Sequence, residues 1–174
     1  YEVAQTETVL RELTPRVLEL AQLAAKFNMG LNIDAEEAER LELSLLIIKQ
    51  LMASDELGDW RGLGVVVQGY NPRASEVLEH LYALAKQYDH HIMVRLVKGA
   101  YWDAEIKRAQ VLGLSELPVH TRKAFTEVAE IANAKRSLGM NDRIYSPLAT
   151  PNASPACAVL RWLAAWQILA RNAV

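Results

Sequence analysis

The stretch that decides the fold reads His91-Ile92-Met93-Val94-Arg95-Leu96-Val97-Lys98-Gly99-Ala100-Tyr101-Trp102. Its first part, residues 91–98, is short and mostly apolar, which predicts a β-strand buried in a sheet. Gly99 and Ala100 follow without bulky side chains, and a helical pattern then covers residues 102–112. A strand, a tight turn and a helix in this order are typical of parallel α/β folds.

The same pattern recurs on both sides of this stretch. Further strands are predicted near 29–34, 63–69 and 143–148, and further helices near 6–27, 35–52, 71–88, 121–138 and from 154 onward. Pro15 predicts a kink in the first helix or a restart with Thr14 as N-cap, and Asp34 with Glu37 is close to a capping box for the second. Strand spacings of about 25–35 residues indicate parallel βα units, which fit an open doubly wound sheet or a (β/α)₈ barrel.

Composition and charge exclude several classes of protein. The chain has 174 residues, 51% of them hydrophobic, so we expect one domain with a substantial core. A net charge of −2 gives no basic footprint for nucleic acid, and no apolar run is long enough to span a bilayer. Cys157 is the only cysteine, and the four histidines are scattered, so we expect no disulfide and no metal site. Tyr1 opens no signal sequence, which favours a cytoplasmic protein, and a first residue other than Met indicates a fragment or a processed chain.

Polar side chains stand where three predicted strands end, at the edge where parallel α/β folds bind ligands. Asp34 ends the first strand, Gln68 the second, and Arg95 with Lys98 the third. One interpretation is that a carboxylate, an amide and two cations converge on one ligand. Alternatively, Asp34 caps a helix, Gln68 bonds loop backbone, and Arg95 pairs with Asp34 alone, because a buried cation needs a partner.

The turn after the third strand indicates which ligand would fit. Backbone N–H groups at Gly99 and Ala100 can approach a phosphate or a ring at the start of a helix, and Lys98 adds positive charge. Trp102 either stacks on an aromatic base or packs in the core.

Four segments together resemble the proline dehydrogenase domain of bacterial bifunctional proline-utilisation A (PutA) proteins. They are Leu31–Glu42, Gly64–Tyr70, Arg95–Arg108 and Pro118–Lys123, and the likeness runs in register over about residues 7–138. The resemblance implies a (βα)₈ barrel that binds FAD and oxidises L-proline to pyrroline-5-carboxylate. It also implies a quinone or other electron acceptor, an aldehyde dehydrogenase domain in the parent protein, and peripheral membrane association of that parent as a further option.

The family's residue roles carry over by position as expectations. Arg95 would bond near flavin N5, Gln68 would bond the flavin ring, and Asp34 would be the active-site aspartate. Tyr101 would line the proline pocket. The other expected cofactor contacts are Lys98, Gly99 and Ala100 at the ribityl and phosphate part, Trp102, Thr121 and Lys123 near the adenosine end, and Ala35 and Thr150.

Residues 143–174 depart from the family pattern and fit it in two registers. In one register, Ile144–Asn152 resembles a strand that ends in Ala-Thr-His-Asn, with Pro151 in place of the histidine. In the other, Arg143–Pro147 resembles the last barrel strand, and Arg161 keeps one of the two arginines that bind the substrate carboxylate.

The fold class we expect is α/β, a partial (βα)₈ TIM-type barrel of about four parallel βα units. Residues 1–174 would form a single partial proline dehydrogenase domain, with a leading helix over 1–28, barrel units over 29–139 and a truncated or rejoined barrel end over 143–174. The leading functional hypothesis is FAD-dependent proline oxidation. The alternative is a non-catalytic half-barrel that binds flavin weakly or binds only a partner protein.

Overall fold

The computed structural model describes residues 5–149, 156–162 and 164. Within these residues five short strands form one sheet, in which every pair of neighbouring strands is parallel. They are β1 (Leu31–Ile33), β2 (Leu63–Gln68), β3 (Ile92–Val97), β4 (Ile144–Tyr145) and β5 (Leu148–Ala149). The first three strands are adjacent in chain order, and β4 and β5 both pair with β3, one after the other along its free edge. The predicted parallel βα architecture is therefore confirmed.

Helices separate the first four strands along the chain, because a parallel connection must return to the same end of the sheet. They are α1 (Thr6–Lys26), α2 (Leu41–Met52), α3 (Ala74–Gln87), α4 (Trp102–Leu112) and α5 (Lys123–Leu138). Short 3₁₀ turns at Ala38–Arg40 and Asp55–Leu57 flank α2. Among the described residues, no helix is long and apolar enough to cross a bilayer.

One face of the sheet is covered by helices, and the other is partly exposed, with Met93, Arg95 and Val97 half-buried and Gly64 and Val66 buried. The covered face carries the buried side chains of the core strands, which are Leu63, Val65, Val67, Ile92, Val94 and Leu96. In β3 the residues between them are only partly buried, so burial alternates along the strand. We call the surface formed by Asn32, Gly64, Val66, Met93, Arg95 and Val97 the open face. The side chains of Asn32 and Met93 approach each other there across Gly64.

β4 and β5 lie one after the other along the free edge of β3, and Ser146-Pro147 separates them. The sequence predicted a single strand over 143–148, whereas the structure has two strands of two residues each. Pro147 has no N–H group to donate, so the ladder cannot continue through it. Its carbonyl still accepts from Leu96 N at 3.2 Å, and the Ser146 hydroxyl donates to the carbonyl of Val94 at 3.3 Å.

The first helix corrects one prediction made from its proline. α1 is continuous through Pro15, and Thr14 is buried inside it, so Thr14 is not an N-cap and the helix does not restart. Leu13 and Val17, which flank the proline, both pack against the core. Packing on both sides offsets the hydrogen bond that proline removes.

The starts of two other helices also differ from the prediction. No helix begins after Asp34: residues 34–37 are irregular, and α2 begins at Leu41 without a side-chain cap. α3 begins only at Ala74, and Asn71 caps the turn before it: Asn71 Oδ1 accepts from Arg73 N at 2.9 Å, and the Asn71 carbonyl accepts from Ala74 N at 2.9 Å. The Asp34 side chain pairs with Arg95 instead, so its local capping preference lost to a partner that is distant in the chain.

The predicted last helix is described only over 156–162 and 164, and Ser154 and Pro155 lie outside the described residues. Val159 packs against the core, and Lys135 of α5 lies 5.7 Å from the centre of the Trp162 ring. The division of the chain into a leading helix, barrel units and a barrel end stays a prediction.

Candidate functional site

Arg95 and Asp34 face each other at the end of the sheet. Arg95 lies in β3 opposite Val66 of β2, and Asp34 follows directly after β1. Arg95 Nη2 donates to Asp34 Oδ1 at 3.1 Å, with the two side chains 41% and 74% exposed. So exposed a pair contributes only about 0–1 kcal/mol to stability. Arg95 Nε, by contrast, is buried and has no hydrogen-bond partner, so one donor of the guanidinium group is unused.

Gln68 ties two loops together at the same edge. Its Nε2 donates to the carbonyl of Glu36 at 2.8 Å, and its Oε1 accepts from the N–H of Ala100 at 3.0 Å. The amide therefore links the irregular segment after β1, which includes Ala35, to the turn after β3. These contacts match the alternative predicted from the sequence, in which Gln68 bonds loop backbone.

The turn after β3 requires glycine at position 99. Gly99 has φ +131°, and a Cβ added there would lie 1.7 Å from the Tyr70 ring. Backbone bonds hold the ring in this place, because Tyr70 N donates to the Lys98 carbonyl at 2.8 Å and Gly69 N donates to the Val97 carbonyl at 2.7 Å. The Lys98–Ala100 turn is thus positioned before any ligand arrives.

Two buried groups that the sequence analysis did not single out support this turn. Glu105 of α4 is 4% exposed, and its Oε1 accepts from Ala38 N at 2.5 Å. Burial raises the pKa of the Tyr70 phenol to about 12, and the nearby Glu105 carboxylate adds to this shift. Tyr70 ends the glutamine strand segment and Glu105 lies one turn into α4, but only the fold brings them together.

Trp102 is fixed by a hydrogen bond and is not a core residue. Its Nε1 donates to the carbonyl of His120 at 2.9 Å, and the residue remains 40% exposed. The core-packing interpretation is therefore wrong. The bond joins the start of α4 to the segment that carries Thr121 and Lys123, which are both exposed.

Lys98 and Lys123 meet at a carboxylate that the sequence analysis also missed. Glu127 Oε1 lies 3.9 Å from Lys98 Nζ and 3.8 Å from Lys123 Nζ. The spacing of Lys123 and Glu127, four residues apart on one helix, was the available indication.

Of the remaining predicted residues, Tyr101 reaches this cluster through its backbone, which interacts with the Tyr70 phenol. Tyr101 is partly buried at the start of α4, and Arg161 is exposed on the last helical segment. Thr150 lies outside the described residues. Within those same limits, no three His, Cys, Asp or Glu side chains are grouped so that they could hold a metal ion.

The comparisons with known proteins agree on one family. The family model for proline dehydrogenase matches residues 2–173. PutA of Salmonella typhimurium is 47% identical over 159 residues, which are 91% of this chain and 12% of that protein. PutA of Rhizobium meliloti is 49% identical over 156 residues, 89% of this chain and 13% of that protein.

A solved structure extends the likeness to the fold. A mutant of Bradyrhizobium japonicum PutA superposes with a TM-score of 0.90 at 46% identity, covering 92% of this chain and 16% of that one. The chain thus spans less than a fifth of the length of the relatives it matches, and its βα units correspond to part of their proline dehydrogenase barrel, as the sequence predicted. The chain belongs to the proline dehydrogenase family.

Proposed function

We propose that this chain is the flavin-binding part of a proline dehydrogenase that oxidises L-proline to pyrroline-5-carboxylate with FAD. The family, which is flavin-dependent in general, supports proline oxidation. The choice of FAD and the residue roles come from the resemblance. The observation that carries the proposal is the arrangement of Arg95 on the open face, paired with Asp34 and with a buried donor still unused.

The residues present fit a flavin in two respects. Arg95 Nε is a buried donor without a partner, which is the kind of group that an acceptor nitrogen of a bound ring would satisfy. The Lys98–Ala100 turn offers a backbone without side-chain bulk at Gly99 and a cation at Lys98, which suits a phosphate-bearing chain. Gln68 would bond the flavin ring and keep its hydrogen bonds to Glu36 and Ala100, because its side-chain amide has two N–H donors and its oxygen has two lone pairs.

Flavin supplies the hydride acceptor for C5 of proline, and the residues of this chain supply the surroundings for that transfer. Arg95 would stabilise the negative charge that develops on the ring, because a fixed cation needs no reorganisation during the reaction. Asp34 would hold the guanidinium group in place. Tyr101 would line the proline pocket, and Arg161 would pair with the proline carboxylate.

The alternative, a half-barrel that binds flavin without turnover, is favoured by one observation. Arg161 is exposed, and within the described residues it makes no contact with Asp34, Gln68 or Arg95. A carboxylate in a closed pocket needs cations to offset its desolvation. If neither Arg161 nor the second arginine of the family pattern reaches the substrate, two charge-assisted bonds to the carboxylate are lacking. Proline binding then falls by roughly two to four orders of magnitude.

The wider context of the reaction is also part of the proposal. The PutA relatives are called bifunctional, which supports an aldehyde dehydrogenase domain in the parent protein. A quinone or another acceptor would take the electrons, the parent would work in the cytoplasm, and peripheral membrane association would bring it to a membrane-bound acceptor.

Flavin titration of the 174-residue chain, followed by a proline:dye assay, tests the proposal. We expect a bound-flavin absorption band that Arg95→Met shifts or removes, because the guanidinium group would lie against the ring. Arg136→Met is the matched control, since Arg136 pairs with Glu79 away from the open face. A wild-type chain that stays colourless with excess FAD contradicts the proposal. Bound flavin without proline-dependent dye reduction supports the half-barrel alternative.

A further inference from the structure

Glu127 lies between two lysines that the resemblance assigns to different parts of the cofactor. The same oxygen, Oε1, faces Lys98 Nζ at 3.9 Å and Lys123 Nζ at 3.8 Å. Lys98 follows β3, whereas Lys123 begins α5. The carboxylate therefore neutralises one of two positive charges at the place where phosphate groups would bind.

The backbone that carries Glu127 is firmly held, although its ion pairs are loose. Its neighbours on α5, Thr126 and Glu130, are 3% and 1% exposed, so this turn of the helix is anchored in the protein. The two pairs are longer than hydrogen bonds and partly exposed, with side-chain exposures of 33% for Glu127, 41% for Lys98 and 79% for Lys123. Such pairs open at little cost, but the anchored carboxylate stays close to whatever replaces it.

We infer that Glu127 is a specificity-determining residue that limits the phosphate charge this site accepts. The inference rests on the proposed function and deepens it. In the free protein Glu127 occupies both ammonium groups, and a phosphate group must displace it. After displacement the carboxylate still opposes the phosphate charge, so the penalty grows with each negative charge on the ligand. Riboflavin carries no phosphate, the FAD pyrophosphate carries two negative charges, and ADP carries about three near pH 7 because its terminal phosphate titrates near pH 6.

Isothermal titration of these three ligands against the 174-residue chain and its E127Q variant tests the inference. We expect E127Q to tighten FAD about two- to threefold and ADP by more, with riboflavin unchanged and with the gains shrinking at high salt. The matched control is E79Q, which removes the same charge from an ion pair with Arg136. Arg136 lies on α5 nine residues after Glu127, so the two positions are about 13 Å apart along the helix. E79Q is expected to leave all three affinities unchanged. The Glu127 and Glu79 side chains are 33% and 50% exposed, so neither substitution threatens the fold.

Several results would overturn the inference. Weaker or unchanged FAD and ADP binding in E127Q would mean that Glu127 only positions the lysines or is a bystander. An equal gain for riboflavin would place the effect at the ring rather than at the phosphates. Absence of ADP binding by both proteins would remove the anion site altogether. If neither protein binds a flavin but E127Q still tightens ADP, the FAD proposal fails while the inference about Glu127 stands.

Discussion

The two faces of β3 divide stability from chemistry within a single strand. On the helix-covered face, Ile92, Val94 and Leu96 are at most 1% exposed. On the open face, the same strand presents Met93, Arg95 and Val97, which are all partly exposed. Because side chains alternate along a strand, sequence changes on one face leave the other nearly untouched. A charged pair such as Arg95 and Asp34 is therefore accommodated one residue away from a dry core, because both side chains stay substantially exposed and only the Arg95 Nε is buried.

The sharpest way to break this comparison is to truncate one apolar side chain on each face. Leu96→Ala is expected to lower the free energy of unfolding by about 2–5 kcal/mol, because it leaves a cavity in the core. Met93→Ala should cost about 1 kcal/mol or less, since Met93 lies on the open face and solvent can fill the space. Urea denaturation followed by circular dichroism measures both. Equal losses for the two variants would show that the open face is covered in solution.

The next largest effect concerns the turn that connects β3 to α4. Gly99→Ala is expected to cost about 2–3 kcal/mol, because it combines an unfavourable backbone conformation with a clash against the Tyr70 ring. Gly113→Ala is the control: Gly113 has φ +63°, but an added Cβ meets nothing within 4 Å, so only about 1 kcal/mol should be lost. Thermal unfolding of the two variants decides whether the ring contact matters. Similar melting temperatures would mean that the Tyr70 ring moves aside.

Alkaline pH tests the contribution of the buried Tyr70 phenol, which packs against that turn. The pKa of Tyr70 rises from its ordinary value of 10 to about 12 on folding, so the folded protein holds the phenolic proton more tightly than the unfolded chain does. The associated stability is complete below pH 10 and is lost as the pH rises from 10 through 12, on the order of 1–2 kcal/mol. Denaturation at a series of pH values measures it.

Tyr70→Phe is the control for that measurement, because it removes the titrating proton and keeps the ring. The wild-type chain should lose more stability than the variant between pH 10 and pH 12. Parallel curves would indicate that the phenol is hydrated in the folded state.

The smallest effect is expected for the ion pair on the open face. A double-mutant cycle with Asp34→Asn and Arg95→Gln should give a coupling free energy of about 0.2–1 kcal/mol, because both side chains are substantially exposed. The cycle is measured by urea denaturation at low salt and repeated at high salt, where the coupling should shrink. A coupling of several kcal/mol would show that the pair is desolvated in solution.

The strands could be predicted from the sequence because their physical cause is local. Val65, Val66 and Val67 form a β-branched run between glycines, and residues 91–98 are apolar with a glycine at the end, so both strands and their parallel order were found. The helix start after Asp34 was predicted wrongly because that side chain bonds Arg95, which is 61 positions away in the chain. A local capping rule cannot anticipate such a competitor.

The site was predictable in its location but not in its contacts. Strand ends in a parallel sheet meet at one edge, which is why Asp34, Gln68 and Arg95 were expected together. The hydrogen bonds of Gln68 to residues 32 positions away on either side, and of Trp102 to the carbonyl of His120, depend on loop conformations that no periodicity encodes. Glu105 and Tyr70 were missed for the same reason, whereas Glu127 was missed although its four-residue spacing from Lys123 on one helix was visible in the sequence.

The order of strands in the sheet has a consequence for how the chain is made. β2 pairs with β1, β3 pairs with β2, and β4 and β5 both pair with β3, so each new strand binds a strand that was made earlier. No strand among the described residues must wait for a later one before it finds a neighbour. During synthesis, when the N-terminal part leaves the ribosome first, the sheet can grow by adding one βα unit at a time to an edge that already exists.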